Sequence, residues 1–275
     1  MGVIKLSRIF SYMSSHQYGK KVTKSEKILV ISDIHGNAEA LRAVINKEKK
    51  FDYVIFLGDS VATGPQPAET AELLLALDPD ISIMGNHDRE LGDRSRLSNW
   101  PPEWEAYMNW CIDQLESSTI DLISSYQPSG QYKLGDLNVF MHHGDIPKSL
   151  PAPLPDSPNE SFESMDEGTE CPLILFGHTH IQFQKTIGNK TYINPGSVGQ
   201  PRCGNRYACY GIFEQGVYSA RQVSYDQGPW LTALEKIEPL NEYPDFKDWL
   251  RIGFLSGYGI GKRDPWTRFG LQGYY

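Results

Sequence analysis

The chain reads as an α/β layered protein on two observations. Apolar runs of about six residues, rich in Val, Ile, Leu and Phe, recur at 27–32, 53–58, 80–85, 137–143 and 172–177; runs this short, each closed by a polar residue or Gly, are the pattern of buried strands. Between the first three lie two stretches with helical spacing, so strand and helix alternate.

The elements follow in order. KILVIS at 27–32 opens the core, and AEALRAVINKEKK at 38–50 sets Leu41, Val44 and Ile45 on one helical face. YVIFLG at 53–58 is the second strand, and PAETAELLLAL at 67–77 starts a helix on Pro67, a residue suited to the first turn. DISIMG at 80–85 is the third strand. Residues 101–125 repeat Trp104, Met108, Cys111, Ile112 and Leu115 at three- and four-residue steps and predict one or two inserted helices. LNVFMHH and PLILFG are the next strands, and the Pro-rich, then acidic, stretch 151–170 between them predicts a surface loop. Further strands are expected at 191–193, 208–213 and 217–225. The domain is thus expected over 27–225, after a partly disordered extension at 1–26. An aromatic-rich tail at 226–275 is expected to pack on the core or on a partner.

Composition narrows the function. Twenty-six Lys and Arg against 34 Asp and Glu give the 275 residues a net charge of -8, so no global positive field is available to hold a nucleic-acid backbone. The longest apolar runs fall far short of the roughly 20 residues of a membrane-spanning helix. No apolar segment follows the basic start, and Leu6 stands where a myristoylation signal needs Ser or Thr. Cys111, Cys171, Cys203 and Cys209 form no C-x-x-C pair. Reduced thiols in a cytoplasmic protein are expected.

Chemistry concentrates where these strands end. Asp33-Ile34-His35, Gly58-Asp59, Gly85-Asn86-His87-Asp88, His142-His143-Gly144-Asp145 and Gly177-His178-Thr179-His180 each close one run, and open α/β sheets bind ligands outside the carboxyl ends of their strands. Oxygen and imidazole donors of this kind suit Mn²⁺, Zn²⁺ or iron. About seven of them exceed the three or four protein ligands of one zinc, which implies two metals with Asp59 as the bridging carboxylate. Singly, each motif has a plain reading. D-x-H or G-D is an ordinary loop start, G-N-H-D fits a turn with Asn86 left-handed, and His142 reads as a core histidine. Arg202 is either a phosphate clamp or a surface residue beside a turn. It is the coincidence of all five segments, each after a strand, that chance does not produce.

The ordered series D-x-H, G-D, G-N-H-D, H-G and G-H-x-H resembles the signature of calcineurin-like metallophosphoesterases. The wider text DIHGN, LGDSVATGPQPAET, GNHD, FGHTH and NPGSVGQPR is similar to their compact prokaryotic phosphodiesterase branch and extends the likeness to about residue 213. The resemblance implies a four-layer α/β/β/α sandwich of two mixed sheets with flanking helices. It implies Asp33, His35 and His180 on one metal, and Asp59 bridging to a second held by Asn86, His143 and His178. His87 would be the general acid, with Asp88 orienting it. The cofactors implied are two divalent or mixed-valence ions, Mn²⁺ first, with Fe, Zn²⁺, Ni²⁺ and Mg²⁺ as further options. Hydroxide between them would attack a small phosphodiester or phosphomonoester, with Arg202 as a candidate substrate contact. The family's protein Ser/Thr phosphatases carry Asp-Arg-Gly after G-D and Arg before G-N-H. Here Ala62-Thr63-Gly64 and Met84 stand instead, which disfavours a protein or dinucleoside polyphosphate phosphatase. A non-catalytic scaffold of this fold is the other alternative, opposed by His87 and the complete donor set. No dedicated nucleic-acid or membrane partner is expected, and oligomerisation stays open.

Overall fold

The first strand, β1 (Lys27–Ile31), shows how the layers arise, because its alternate side chains serve two cores. Ile28 and Val30 join Tyr53, Ile55 and Ile81, and across from them Val139, Met141, Leu175 and Ile193, in one buried cluster. Leu29 and Ile31 join Val54, Phe56, Leu41, Val44 and Leu74 in another. The computed structural model describes residues 27–134, 137–259 and 266–275; the expected extension at 1–26, with His16, lies outside them. After β1 come α1 (Ala38–Glu48), β2 (Tyr53–Phe56), α2 (Pro67–Leu77), β3 (Ile81–Ser82), α3 (Asn86–Gly92), α4 (Pro102–Asp113) and α5 (Ser117–Ser124). There follow β4 (Gly130–Leu134), β5 (Leu137–His142), α6 (Asn159–Met165), β6 (Leu173–Phe176), β7 (Gln182–Ile187), β8 (Lys190–Pro195), β9 (Ala208–Glu214) and β10 (Val217–Val223). The chain closes with α7 (Gly228–Glu235), α8 (Pro244–Ser256) and α9 (Trp266–Leu271).

The strands form two five-stranded mixed sheets, ordered β10-β9-β1-β2-β3 and β4-β5-β6-β8-β7. The cluster around Ile28 and Val30 lies between the sheets. Helices α1 and α2 cover the far side of the first sheet. Phe162 and Met165 of α6 and Phe269 of α9 cover the second, against Phe140, Ile174 and Phe176. This is the four-layer α/β/β/α sandwich. Parallel pairing of β1 with β2 and of β5 with β6 sends the carboxyl ends of each pair in one direction.

Differences from the sequence reading have physical causes. β4 and β7 were not expected as strands, and both lie at the edges of the second sheet, where one side faces water and residues such as Gln131, Lys133, Gln184 and Lys185 replace apolar ones. β3 is an edge of the first sheet and pairs through two residues only. The stretch 151–170 is more than a surface loop. It contains α6, whose Phe162 and Met165 are fully buried. The insert at 101–125 is the helix pair α4 and α5. Helices α7 and α8 pack on α4 through Tyr107, Cys111, Trp230, Leu234, Leu250 and Phe254, with Trp230 and Phe254 stacked at 3.6 Å.

Phe162→Ala should therefore lower stability by about 3–5 kcal/mol, the range for emptying a buried aromatic site. Denaturant unfolding measures it; a loss under about 0.5 kcal/mol, as for a surface loop residue, would contradict this packing.

Candidate metal centre

Each strand that points toward the site ends in an abrupt turn. Asp33, His35, Asp59, His178 and His180 all have positive φ, at 53°, 48°, 60°, 65° and 60°, a left-handed conformation that costs residues other than Gly about 1–3 kcal/mol each. Such turns swing side chains that would lie along the strands into the gap beyond the two sheets. Hydrogen bonds hold the turns, from Asp33 N–H to the Gly58 carbonyl at 2.9 Å and from Ile34 N–H to the Asp59 carbonyl at 2.9 Å. Asn86 is not left-handed; it is the first residue of α3. Two glycines permit the close approach. A Cβ on Gly85 would collide with the side chain and amide of Asp59, and one on Gly177 would meet Asp33 Oδ2 at 2.7 Å.

Two clusters result. In the first, backbone carbonyls set the imidazole tautomers: His180 Nδ1–H donates to the Gln200 carbonyl at 2.7 Å, and His35 Nδ1 faces the Ala62 carbonyl at 3.1 Å. A carbonyl only accepts, so each Nδ1 holds the proton and each Nε2 keeps its lone pair. Those two Nε2 atoms face one another at 3.1 Å, with Asp33 Oδ1 at 3.3 Å from His180 and 3.8 Å from His35. In the second, His143 Nδ1–H donates to the Leu57 carbonyl at 2.7 Å, and its Nε2 meets Asp59 Oδ2 and Asn86 Oδ1, both at 3.2 Å. His178 Nδ1 lies 2.9 Å from Asn86 Oδ1. Asp59 Oδ2 is also 3.7 Å from His35 Nε2, which sets this carboxylate between the clusters.

In the first cluster electron pairs face electron pairs, an arrangement that calls for a cation. Burial opposes ionisation of Asp33 and Asp59, yet His180 beside Asp33 and His143 beside Asp59 hold both carboxyls below the usual range. Burial pushes His35 and His178 down to about 3, and His180 down with Arg202 adding to the effect. His143 is driven the other way. Burial disfavours its charge, but Asp59 more than offsets this and raises it to about 10. Two buried anions among largely neutral imidazoles need positive charge, and O and N donors of this type fit divalent transition ions. Asp33, His35 and His180 form one candidate set, and Asp59, His143 and His178 the other, each with ligand atoms within 4.8 Å of one another.

Asp88 does not orient His87. Its carboxylate accepts from the amides of Asp59, Ser60 and Gly85 at 2.8, 2.9 and 3.0 Å and from Ser60 Oγ at 2.6 Å, capping the Gly85 amide at the start of α3 and stapling that helix to the turn after β2. The carboxylate on His87 is Glu90, 2.7 Å from Nδ1. Residues three apart share a helix face and adjacent ones do not, so the correction follows from α3 continuing past Asn86. Burial lowers the His87 pKa, but Asp59 and Glu90 outweigh it and raise it. His142 Nδ1 accepts from the Gly144 amide at 2.7 Å and stays outside both clusters. The charge of Arg202 is felt by His180, Asp33 and Asp59. Thr63 and Gln200 escaped the sequence reading. Thr63 Oγ1 lies 2.9 Å from His35 Nδ1, and Gln200 Nε2 donates to the Thr63 carbonyl at 2.9 Å. No motif marks residues that act by holding another side chain.

Residues 27–215 match the family model described as the calcineurin-like phosphoesterase superfamily domain. The chain belongs to this superfamily. It is 31% identical over 220 residues to the protein MJ0912 of Methanocaldococcus jannaschii, covering 72% of this chain and 88% of the relative. It is 26% identical over 206 residues to the phosphodiesterase YfcE of Escherichia coli, covering 70% and 90%. The crystal structure of a metallophosphoesterase from Sphaerobacter thermophilus superposes with a TM-score of 0.62 at 27% identity, covering 77% of this chain and 94% of that one. These likenesses put the chain in the compact prokaryotic branch, and membership of this phosphoesterase superfamily implies divalent metal ions. No helix among the described residues is long and apolar enough to cross a membrane.

Asp88→Ala would strand three buried amides at about 1–3 kcal/mol each, so unfolding should show a loss above about 3 kcal/mol. Glu90→Gln should change stability by less than about 1 kcal/mol. The reverse ranking would contradict the staple.

Proposed function

We propose that the chain is a phosphoesterase that hydrolyses small phosphodiesters or phosphomonoesters with two divalent ions at the strand ends. The observation that carries this reading is the convergence of the Nε2 atoms of His35, His180 and His143 on the buried carboxylates Asp33 and Asp59. Asp33, His35 and His180 would hold one ion and Asn86, His143 and His178 the other, with Asp59 shared. Once bound, such ions lower the pKa of a water and offset charge on phosphate oxygens. Mn²⁺ is the ion we favour.

The protein's own groups supply the rest. His87, turned by Glu90 and with its pKa raised by Asp59 and Glu90, gives a proton to the departing alkoxide, a role worth about 10²–10⁴-fold. Asp59 Oδ1 accepts the His87 amide at 2.9 Å, so donor and ligand move together. Arg202 meets the phosphate through the planar fork of its guanidinium. A cytoplasmic setting is supported by four buried free thiols.

Purified protein with Mn²⁺ should hydrolyse bis-p-nitrophenyl phosphate and lose that activity with a chelator. Inactivity on a panel of mono- and diesters would favour a scaffold instead. His87→Ala should keep its metal content and lose about 10²–10⁴-fold in kcat on diesters with alkyl leaving groups, and less on p-nitrophenyl esters, whose leaving group needs no proton. Loss of metal would make His87 a ligand.

A further inference from the structure

Arg202 is held from a part of the chain that lies beyond the matched family domain. Its loop follows Gln200, whose carbonyl accepts the hydrogen bond from His180 Nδ1–H. The Arg202 Nε is buried with no hydrogen-bond partner among the described residues. Its guanidinium carbon stands 5.1 Å from the centroid of the Trp266 ring, within the roughly 6 Å of a cation–π contact. Trp266 opens α9, and α9 is anchored by Phe269, fully buried among Phe140, Phe176 and Tyr192.

The backbone around Arg202 is clasped by the same segment. Gly204 N–H donates to the Gly257 carbonyl at 2.9 Å. Gly270 lies so close to the Cys203 carbonyl that a Cβ would collide, and a Cβ on Gly259 would meet the Gln200 carbonyl at 3.3 Å and Arg202 Cγ at 3.5 Å. Loop 200–205 thus packs against residues 257–259 and 266–270. A guanidinium held over a ring has given up much of its rotamer freedom, so it meets an anion with little left to lose.

We propose that Trp266 is a positioning residue for Arg202, and that through it the C-terminal segment sets the phosphate-binding geometry of the site. The proposal rests on reading Arg202 as the phosphate contact. Trp266 touches no reacting group and acts only through the arginine.

The test compares the full-length, Mn²⁺-loaded wild type with Trp266→Ala, Trp266→Phe, Arg202→Ala and the double alanine variant. Two readouts are taken, kcat and KM on bis-p-nitrophenyl phosphate and calorimetric binding of inorganic phosphate, with metal content and melting temperature as controls. Trp266→Ala should weaken phosphate binding and raise KM by about 2- to 30-fold, the span of a cation–π contact. Trp266→Phe should recover most of this, and in the Arg202→Ala background the loss should vanish. Trp266→Leu, which keeps apolar packing without a π face, should show the same loss and serves if the alanine variant does not fold. If Arg202→Ala alone matches wild type, the phosphate-contact reading fails and this proposal with it. If Arg202→Ala is impaired while Trp266→Ala and Trp266→Leu match wild type, or their losses add in full to that of Arg202→Ala, positioning is overturned and the phosphate contact stands.

Discussion

Two carboxylates, Asp33 and Asp59, lie fully buried at the ends of parallel strands, and the surrounding structure is organised by what that burial demands. An isolated buried carboxylate would cost many kcal/mol or take up a proton. Here both stay ionised because positive charge is built around them or called to them. The imidazoles could have served as proton donors, but main-chain carbonyls of Leu57, Ala62 and Gln200 claim the Nδ1 side of three of them. At His35 and His180 the Nε2 side is left as a lone pair, while His143 Nε2 stands against the Asp59 carboxylate, which raises its pKa. A site made of anions and lone pairs is unsatisfied as a hydrogen-bond network and well matched to hard or borderline cations.

Holding that arrangement has a cost, and the layered core sets where it can be met. Five site residues occupy left-handed backbone, and the strain persists only where neighbours leave no alternative. β1 and β2 are fixed by pairing on both sides and by cores on both faces, so their ends cannot relax sideways. The Asp88 carboxylate then pins three amides where β2 and β3 leave the sheet. Rigid strands give the ligands their position, and a buried side chain closes the gap between strands.

The same physics explains what could be read in advance. β1, β2 and β6 are buried on both faces, so their text is continuously apolar and stands out, as is that of β5 over Val139–Met141, and with them came every donor at their ends. β4 and β7 are edges, where exposure dilutes the signal. Phe162 and Met165 were hidden because Pro and acidic neighbours outnumber them in the stretch that holds α6. The ligand types were legible because a metal constrains which residue is present. Glu90 was not, because any acceptor three residues from His87 on a helix face would serve, and Asp88 stood nearer in the sequence but on the wrong face.

The candidate ligands and the two charges proposed to face the substrate, His87 and Arg202, are therefore held by different means. The donors hang from strand ends and share the core's rigidity. His87 is turned by Glu90 on a seven-residue helix and flanked by Trp100 at 5.7 Å, while Arg202 stands in a loop with its guanidinium over the Trp266 ring. Neither support belongs to a sheet. Changes in α3, in the segment before α4, or at the C-terminal helix can shift these two charges without disturbing the strands beneath the ligands. On the proposed reading, a chain built this way keeps one metal chemistry while altering which phosphoester it prefers, because the groups proposed to meet the substrate are packed on the sandwich rather than woven through it.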